Sequence, residues 1–264
     1  MKCKIVLEYD GSKFSGWQFQ PGERTVQGEL ESALLVIAKA LAKKRGEIFE
    51  QKINVQGSGR TDSGVHALAQ VASFTWPDFL SQDLLQFERS LDAITPREIA
   101  IKSLEQVADD FDARFAPHIK AYRYTYLLRN GSTGFYENRA WLVRNQLKIA
   151  KMCHAARLFT GKHDFRSFRA LDCSSQTTER TILRSECFRL SAEELVYEVE
   201  GKGFLKHMVR TIAGALLAVG KGDLDEGDLQ AMLDGAPRRQ IIQTAPAHGL
   251  CMQWVKYGRD PHEK

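Results

Sequence analysis

Between Arg24 and Gly46 the chain reads RTVQGELESALLVIAKALAKKRG, and this stretch narrows the choice of fold more than any other. Leu30, Ala33, Leu34, Ile37, Ala38 and Leu41 recur at helical spacing, so one face of a long helix is apolar. Thr25 stands where an N-cap belongs and Gly46 where the helix should stop. Such a helix must cover something flat. The flanking segments supply it: KIVLEYD before, then KINVQ and LAQVASFTW after, read as strands. A second helix is expected at about 82 to 94 and a strand at EIAIKSLEQV.

The second half repeats this order loosely. KAYRYTYLLRNG places Tyr122, Tyr124 and Tyr126 on one strand face, and a helix at about 146 to 160 should end at Gly161. TILRSECFRL and ELVYEVEGKGF pair as a hairpin across SAEE. A helix at about 205 to 219, a short acidic one near 223 to 234 and a last strand GLCMQWVKY follow. The fold class is therefore α+β: two similar lobes, residues 1–108 and 109–264, with largely antiparallel strands in one shared sheet and helices on one side. The active-site cleft is expected between the lobes, which together form one catalytic unit.

Composition excludes several classes. Apolar residues make up 43% and charged residues 27%, ordinary globular usage, which argues against disorder. No apolar run approaches the roughly 20 residues of a membrane crossing, and the N-terminus lacks the features of a secretory signal, so a cytoplasmic location is expected. The five cysteines are scattered without a CxxC pair, the usage of reduced thiols rather than of disulfides or zinc. Net charge is only +4. The stretch from Arg114 to Arg129 nevertheless interleaves basic residues with three tyrosines, a mixture suited to phosphates and stacked bases.

One short loop carries candidate chemistry. GSGRTDSGVH, residues 57 to 66, presents a single carboxylate, Asp62, between Arg60 and Gly64. Its plain reading is a tight turn, the commonest use of Asp beside Gly. It is not a phosphate loop, because GxxxxGK[ST] is absent and a strand follows. No HExxH supports a metal and no GxSxG supports a serine nucleophile. A solitary carboxylate can act as a covalent nucleophile if it stays ionised and shielded, and a nearby guanidinium favours that form.

The loop belongs to a larger pattern. YDGSKFSGWQFQ with RTVQGELE, GRTDSGVHALAQVASF, FDARFAPHIKAYRYTY, HDFRSF, TTERTI and GKGFLKHMVRTIAGAL occur in this order, and the chain resembles the tRNA pseudouridine synthase I family over nearly its whole length. The resemblance implies a cofactor-independent isomerase, without a metal, that converts uridine to pseudouridine at positions 38, 39 and 40 in the anticodon stem-loop of tRNA. It also implies a homodimer. Asp62 matches the catalytic aspartate of the family's GRTD motif, Tyr122 the tyrosine that stacks on the target base, and Arg210 the basic residue that pairs with the carboxylate. Arg24, Arg60, Lys120, Arg123, Arg169, Arg180 and Lys206 lie in matching blocks as candidate phosphate contacts, and His66 as a candidate support of the loop. The family usually has alanine after the aspartate; here it is Ser63.

The chemistry fits these residue types. The N1–C1′ bond must break, the base turn, and C5 join C1′; a carboxylate can add to C1′ or remove a sugar proton to give a glycal, and both routes stay open. The uridine must leave its stack, costing a few kcal/mol, and an aromatic face returns about 1 to 3 kcal/mol. Two other readings remain. One is a non-catalytic RNA-binding protein on the same scaffold, which would tolerate loss of Asp62; the other is a hydrolase acting through Asp62, which would want a second carboxylate.

Overall fold

The computed structural model describes residues 1–80, 83–144 and 146–258. The chain divides into two compact units, Met1–Pro117 and His118–Lys264. The Asp109–Pro117 segment stays with the first unit, where the Ala113 N–H donates to Ser73 Oγ at 3.1 Å.

In the first unit β1 (Lys2–Tyr9) is flanked by α1 (Val26–Lys44), a two-residue β2 (Gln56–Gly57), β3 (His66–Thr75), α2 (Leu84–Ile94) and β4 (Ile99–Gln106). β1 pairs antiparallel with β3 and with β4, and β2 adds to β3. Alternate residues of β1 are buried, Cys3, Ile5, Leu7 and Tyr9, as expected for a sheet covered on one face. α1 covers it. Thr25 Oγ1 accepts the Gly28 N–H at 3.2 Å, and Leu30, Ala33, Leu34, Ile37 and Ala38 are buried. The stripe ends on Ala42 rather than Leu41, which is only half-buried. Each fully buried Leu or Ile contributes about 1.5–3 kcal/mol. The helix expected at 82 to 94 begins at Leu84 with Asp83 as its cap; Gln82 lies outside the described residues. KINVQ is mostly irregular, with only Gln56 entering a ladder.

The second unit contains β5 (His118–Leu128), β6 (Trp141–Val143), α3 (Ile149–Ala156), β7 (Gly161–Asp164), β8 (Glu179–Arg189), β9 (Glu194–Gly201), α4 (Met208–Lys221), α5 (Glu226–Leu233) and β10 (Leu250–Tyr257). β5 lies between β9 and β10, β9 continues to β8 and β8 to β7, all antiparallel, while the short β6 runs parallel to β5. Mixed α+β architecture with largely antiparallel pairing is thus as the sequence led one to expect. Tyr124 and Tyr126 are fully buried, and the Tyr126 hydroxyl donates to Ala213 O of α4 at 2.8 Å. Among the described residues no helix is long and apolar enough to cross a membrane.

Candidate active site

Asp62 sits at the first position of a tight turn. The Val65 N–H donates to Asp62 O at 3.1 Å, and Gly64 takes φ +78°, a left-handed conformation open to glycine. The plain reading of the loop as a turn is therefore correct for its backbone. The turn is also locked from outside by the segment that follows β1. Trp17 N–H donates to Thr61 O at 3.1 Å, Gly64 N–H to Phe14 O at 3.4 Å, and Ser63 Oγ to Phe14 O at 3.1 Å. Tyr9 Oη and Thr61 Oγ1 share a hydrogen bond of 2.8 Å. Ser63 thus gains a use for its hydroxyl in holding the segment that follows β1.

Gly16 makes this approach possible. It has φ +97°, and a Cβ there would stand 2.8 Å from Thr61 O and 3.2 Å from the Asp62 carbonyl carbon. His66 closes the loop at its far end: its buried Nδ1 lies 3.1 Å from the Gly11 N–H and 3.2 Å from Asp10 Oδ1. The candidate role of His66 as a support of the loop has this geometry beneath it. Asp62 itself is half-buried and Arg60 is exposed. A carboxylate on a backbone fixed from both sides costs little reorganisation at the moment of reaction.

Arg24 is already occupied. Its Nε donates to Glu29 at 2.9 Å, its amino groups reach Glu98 at 3.4 Å, and the guanidinium lies 4.6 Å from the Phe14 ring centroid. Lys13 also reaches Glu98, at 3.0 Å. Hydrogen bonds from Lys13 and Arg24 lower the Glu98 carboxyl from 4.5 to about 2. Two carboxylates offset the Arg24 charge and Phe14, whose carbonyl holds the Asp62 turn, packs beneath it.

In the second unit Tyr122 is buried at 7% exposure on β5, and its ring meets Phe204 edge to face, with centroids 5.1 Å apart and planes at 83°. Tyr124 and Tyr126, expected on the same strand face, pack against each other with ring centroids 5.1 Å apart. Phe204 was not singled out by sequence reading, although it stands in GKGFLKHMVR beside Arg210; its only signal was an aromatic residue after glycine in a matched block. Arg210 is the third residue of α4, half-buried, and its Nε donates to Ala245 O at 2.8 Å. The helix starts abruptly at His207, which is held at φ +61°. A non-glycine residue in that region costs of order 1–3 kcal/mol and is typical of a functional segment.

The remaining candidates are spread out. Arg123 is bound across the strand pair by Glu198 at 2.6 and 2.8 Å, and Lys206 by Asp172 at 2.5 Å. Lys120 is half-buried on β5. Arg180 is half-buried near Gly203, donating to Thr177 O at 3.1 Å, and burial pulls its pKa down. The Arg169 carbonyl accepts from Arg238. Among the described residues no three His, Cys, Asp or Glu side chains are placed to hold a metal ion.

Comparisons with known proteins bear on this geometry directly. A model of the tRNA pseudouridine synthase family matches residues 5–116 and 155–258, and so takes in the Asp62 loop, Phe204 and Arg210. The chain is 38% identical to the tRNA pseudouridine synthase A of Citrifermentans bemidjiense, over 96% of each chain. It is 39% identical to proteins of the same name from Bacillus velezensis and Bacillus subtilis, in each case over 97% of this chain and 99% of the relative. Among solved structures, one titled "Structure of H/ACA RNP bound to a substrate RNA containing 2'-deoxyuridine" superposes with a TM-score of 0.33 at 10% identity, over 97% of this chain and 56% of that one. The blocks that build the locked loop fall within the segments matched by the family model, as do Phe204 and Arg210, while Tyr122 lies between them; with relatives 38–39% identical over nearly the whole chain, the chain belongs to the tRNA pseudouridine synthase family.

Proposed function

We propose that this protein isomerises uridine to pseudouridine at positions 38, 39 and 40 in the anticodon stem-loop of tRNA, with Asp62 as the catalytic carboxylate. The observation that carries the assignment is the Asp62 turn, held by hydrogen bonds from Trp17, Ser63 and Gly64 to backbone carbonyls on both sides of the Gly16 contact. Family membership supplies the reaction.

In this reading the uridine leaves its stack and Tyr122 supports the extruded base, with Phe204 holding the tyrosine ring edge-on. Asp62 acts at the sugar, by addition at C1′ or by removal of a sugar proton, while N1–C1′ breaks and the base turns to present C5. The N1–C1′ electron pair stays on N1; when C5 bonds to C1′ the Asp62–C1′ bond breaks, or on the glycal route the sugar proton returns, C5 loses its proton and N1 takes one up, so the reaction as a whole is redox-neutral. The family resemblance assigns Arg210 the part of the basic residue that partners the carboxylate. Arg60 and Lys120 are offered to the RNA backbone, whereas Arg24, Arg123 and Lys206 are tied to carboxylates and serve first to shape their surroundings. The homodimer implied by the family resemblance and a cytoplasmic location belong to the same reading.

Carbodiimide mapping of pseudouridine in tRNA tests it. The wild type should modify only positions 38 to 40, and Asp62→Asn should modify none while still binding tRNA. Modification elsewhere overturns the site assignment; an active Asp62→Asn overturns the carboxylate's role. Retained binding with no modification by the wild type favours the non-catalytic RNA-binding reading.

A further inference from the structure

At the end of the second unit's sheet, away from the Tyr122 end of β5, a cavity of about 350 Å³ is lined by Arg129, Arg144 and Arg189 above an apolar floor that includes Leu128, Val143 and Leu147. The three arginines come from separate places: just beyond β5, just beyond β6, and the last residue of β8. Among the described residues no acidic side chain lines the cavity.

Two of the guanidiniums are held in place. Arg129 donates Nη2 to the Glu193 carboxylate and Nη1 to Ser132 O at 3.4 Å, and lies 5.5 Å from the Tyr136 ring centroid. Its Nε is nonetheless buried without an acceptor among the described residues. A buried donor of this kind calls for a partner. Arg189 is steadied by one bond, Nη1 to Ala192 O at 2.6 Å, which leaves its other donors. Arg144 is exposed at the rim. Glu193, with Glu194 beside Tyr136, offsets two of the three guanidinium charges and leaves a net positive charge at the cavity, and guanidinium N–H groups lining one cavity suit the oxygens of a phosphate.

We propose that this cavity is a phosphate subsite for the RNA backbone, a second anchor that grips the substrate at a distance from the reacting uridine. The inference rests on the tRNA reading above and adds a contact to it. Phosphate contacts of this kind position the nucleic acid without reading its sequence.

The test is the salt dependence of tRNA binding, measured by fluorescence anisotropy across a KCl series for the wild type, Arg144→Gln/Arg189→Gln and Arg144→Lys/Arg189→Lys. Removing the charge that neutralises one phosphate should make the log–log slope shallower by about 0.9 in a duplex or 0.7 in a single strand, and weaken binding roughly eightfold at 0.1 M salt. The glutamine variant should show that change and the lysine variant, which keeps both charges, should keep the wild-type slope. Equal slopes for the glutamine variant and the wild type overturn the proposal, even if the cavity takes up inorganic phosphate. A lysine variant as impaired as the glutamine one overturns it too, because the loss would then follow shape rather than charge. If the wild type itself fails to bind tRNA, the functional reading falls along with the subsite; only a difference confined to the variants bears on the subsite alone.

Discussion

Replacing Gly16 with alanine probes the link between fold and chemistry at one atom. The residue has φ +97°, and the added Cβ would lie 2.8 Å from the Thr61 carbonyl oxygen. A left-handed backbone costs an alanine about 1–2 kcal/mol. The clash is with main chain, which cannot swing aside as a long side chain can, and overpacking of this sort adds about 1–2 kcal/mol more. The sum, about 2–4 kcal/mol, should lower Tm by roughly 5–15 °C for a chain of this size. Gly22→Ala is the control. Gly22 has φ +80° with nothing within 4 Å of a Cβ, so it should lose only the backbone part, roughly 2–8 °C. Activity separates them further: the Gly16 variant must move Thr61 and Asp62, and a misplacement approaching 1 Å costs on the order of a hundredfold. Differential scanning calorimetry and initial rates of uridine conversion check both. If Gly16→Ala matches Gly22→Ala in Tm and rate, the loop is not held by this contact and the reasoning fails.

Other outcomes follow from single interactions. Glu98→Gln should flatten the acid limb of the unfolding profile: the wild-type carboxyl is lowered from 4.5 to about 2, so its contribution is full above about pH 4.5 and fades as pH falls towards 2. Denaturant melts between pH 2 and 6 would show the two curves converging only at the acid end, and parallel curves would count against the Lys13–Glu98–Arg24 network. Phe204→Ala should release the Tyr122 ring and remove the edge-to-face pair, about 0.5–1.5 kcal/mol, seen as a roughly two- to tenfold fall in kcat/KM with little change in Tm. Alkylation followed by mass spectrometry should label Cys173 before Cys3. Burial raises the Cys173 thiol, but hydrogen bonds from Ser175 and the Lys206 backbone, with Arg169 nearby, bring it below its ordinary value, whereas burial pushes Cys3 up to about 11. The reverse order would contradict the packing described.

How much of this was legible beforehand depended on whether the determining contacts were local. α1 was readable because its cap, its stripe and its stop all lie within its own residues, and the β8–β9 hairpin because its loop and alternation are contiguous. α3 was expected from 146 to 160 but runs Ile149–Ala156, continuing as a 3-10 turn to Phe159; its start is set by the Lys148 N–H donating to Gly220 O at 2.8 Å, a partner far along the chain. α4 was expected from 205 and begins at Met208, because His207 adopts the left-handed conformation. β6 and β7, three and four residues long, exist only through their neighbours and carry no alternation of their own.

The candidate site divides in the same way. Asp62 stood out by its glycines and its motif, but the hydrogen bonds that make it rigid come from Phe14 and Trp17, some 45 residues earlier. The sequence places Arg24 among the candidate cations, but the Glu98 that engages it lies 74 residues on. Phe204 became visible only once β5 brought Tyr122 to its edge.

The central claim is that the Asp62 carboxylate performs the isomerisation, and tritium release from tRNA labelled at uracil C5 measures it most directly, since joining C5 to C1′ expels that hydrogen. The wild type should release tritium and Asp62→Ala should release none while binding tRNA with nearly unchanged affinity. Release by Asp62→Ala at the wild-type rate would contradict the account.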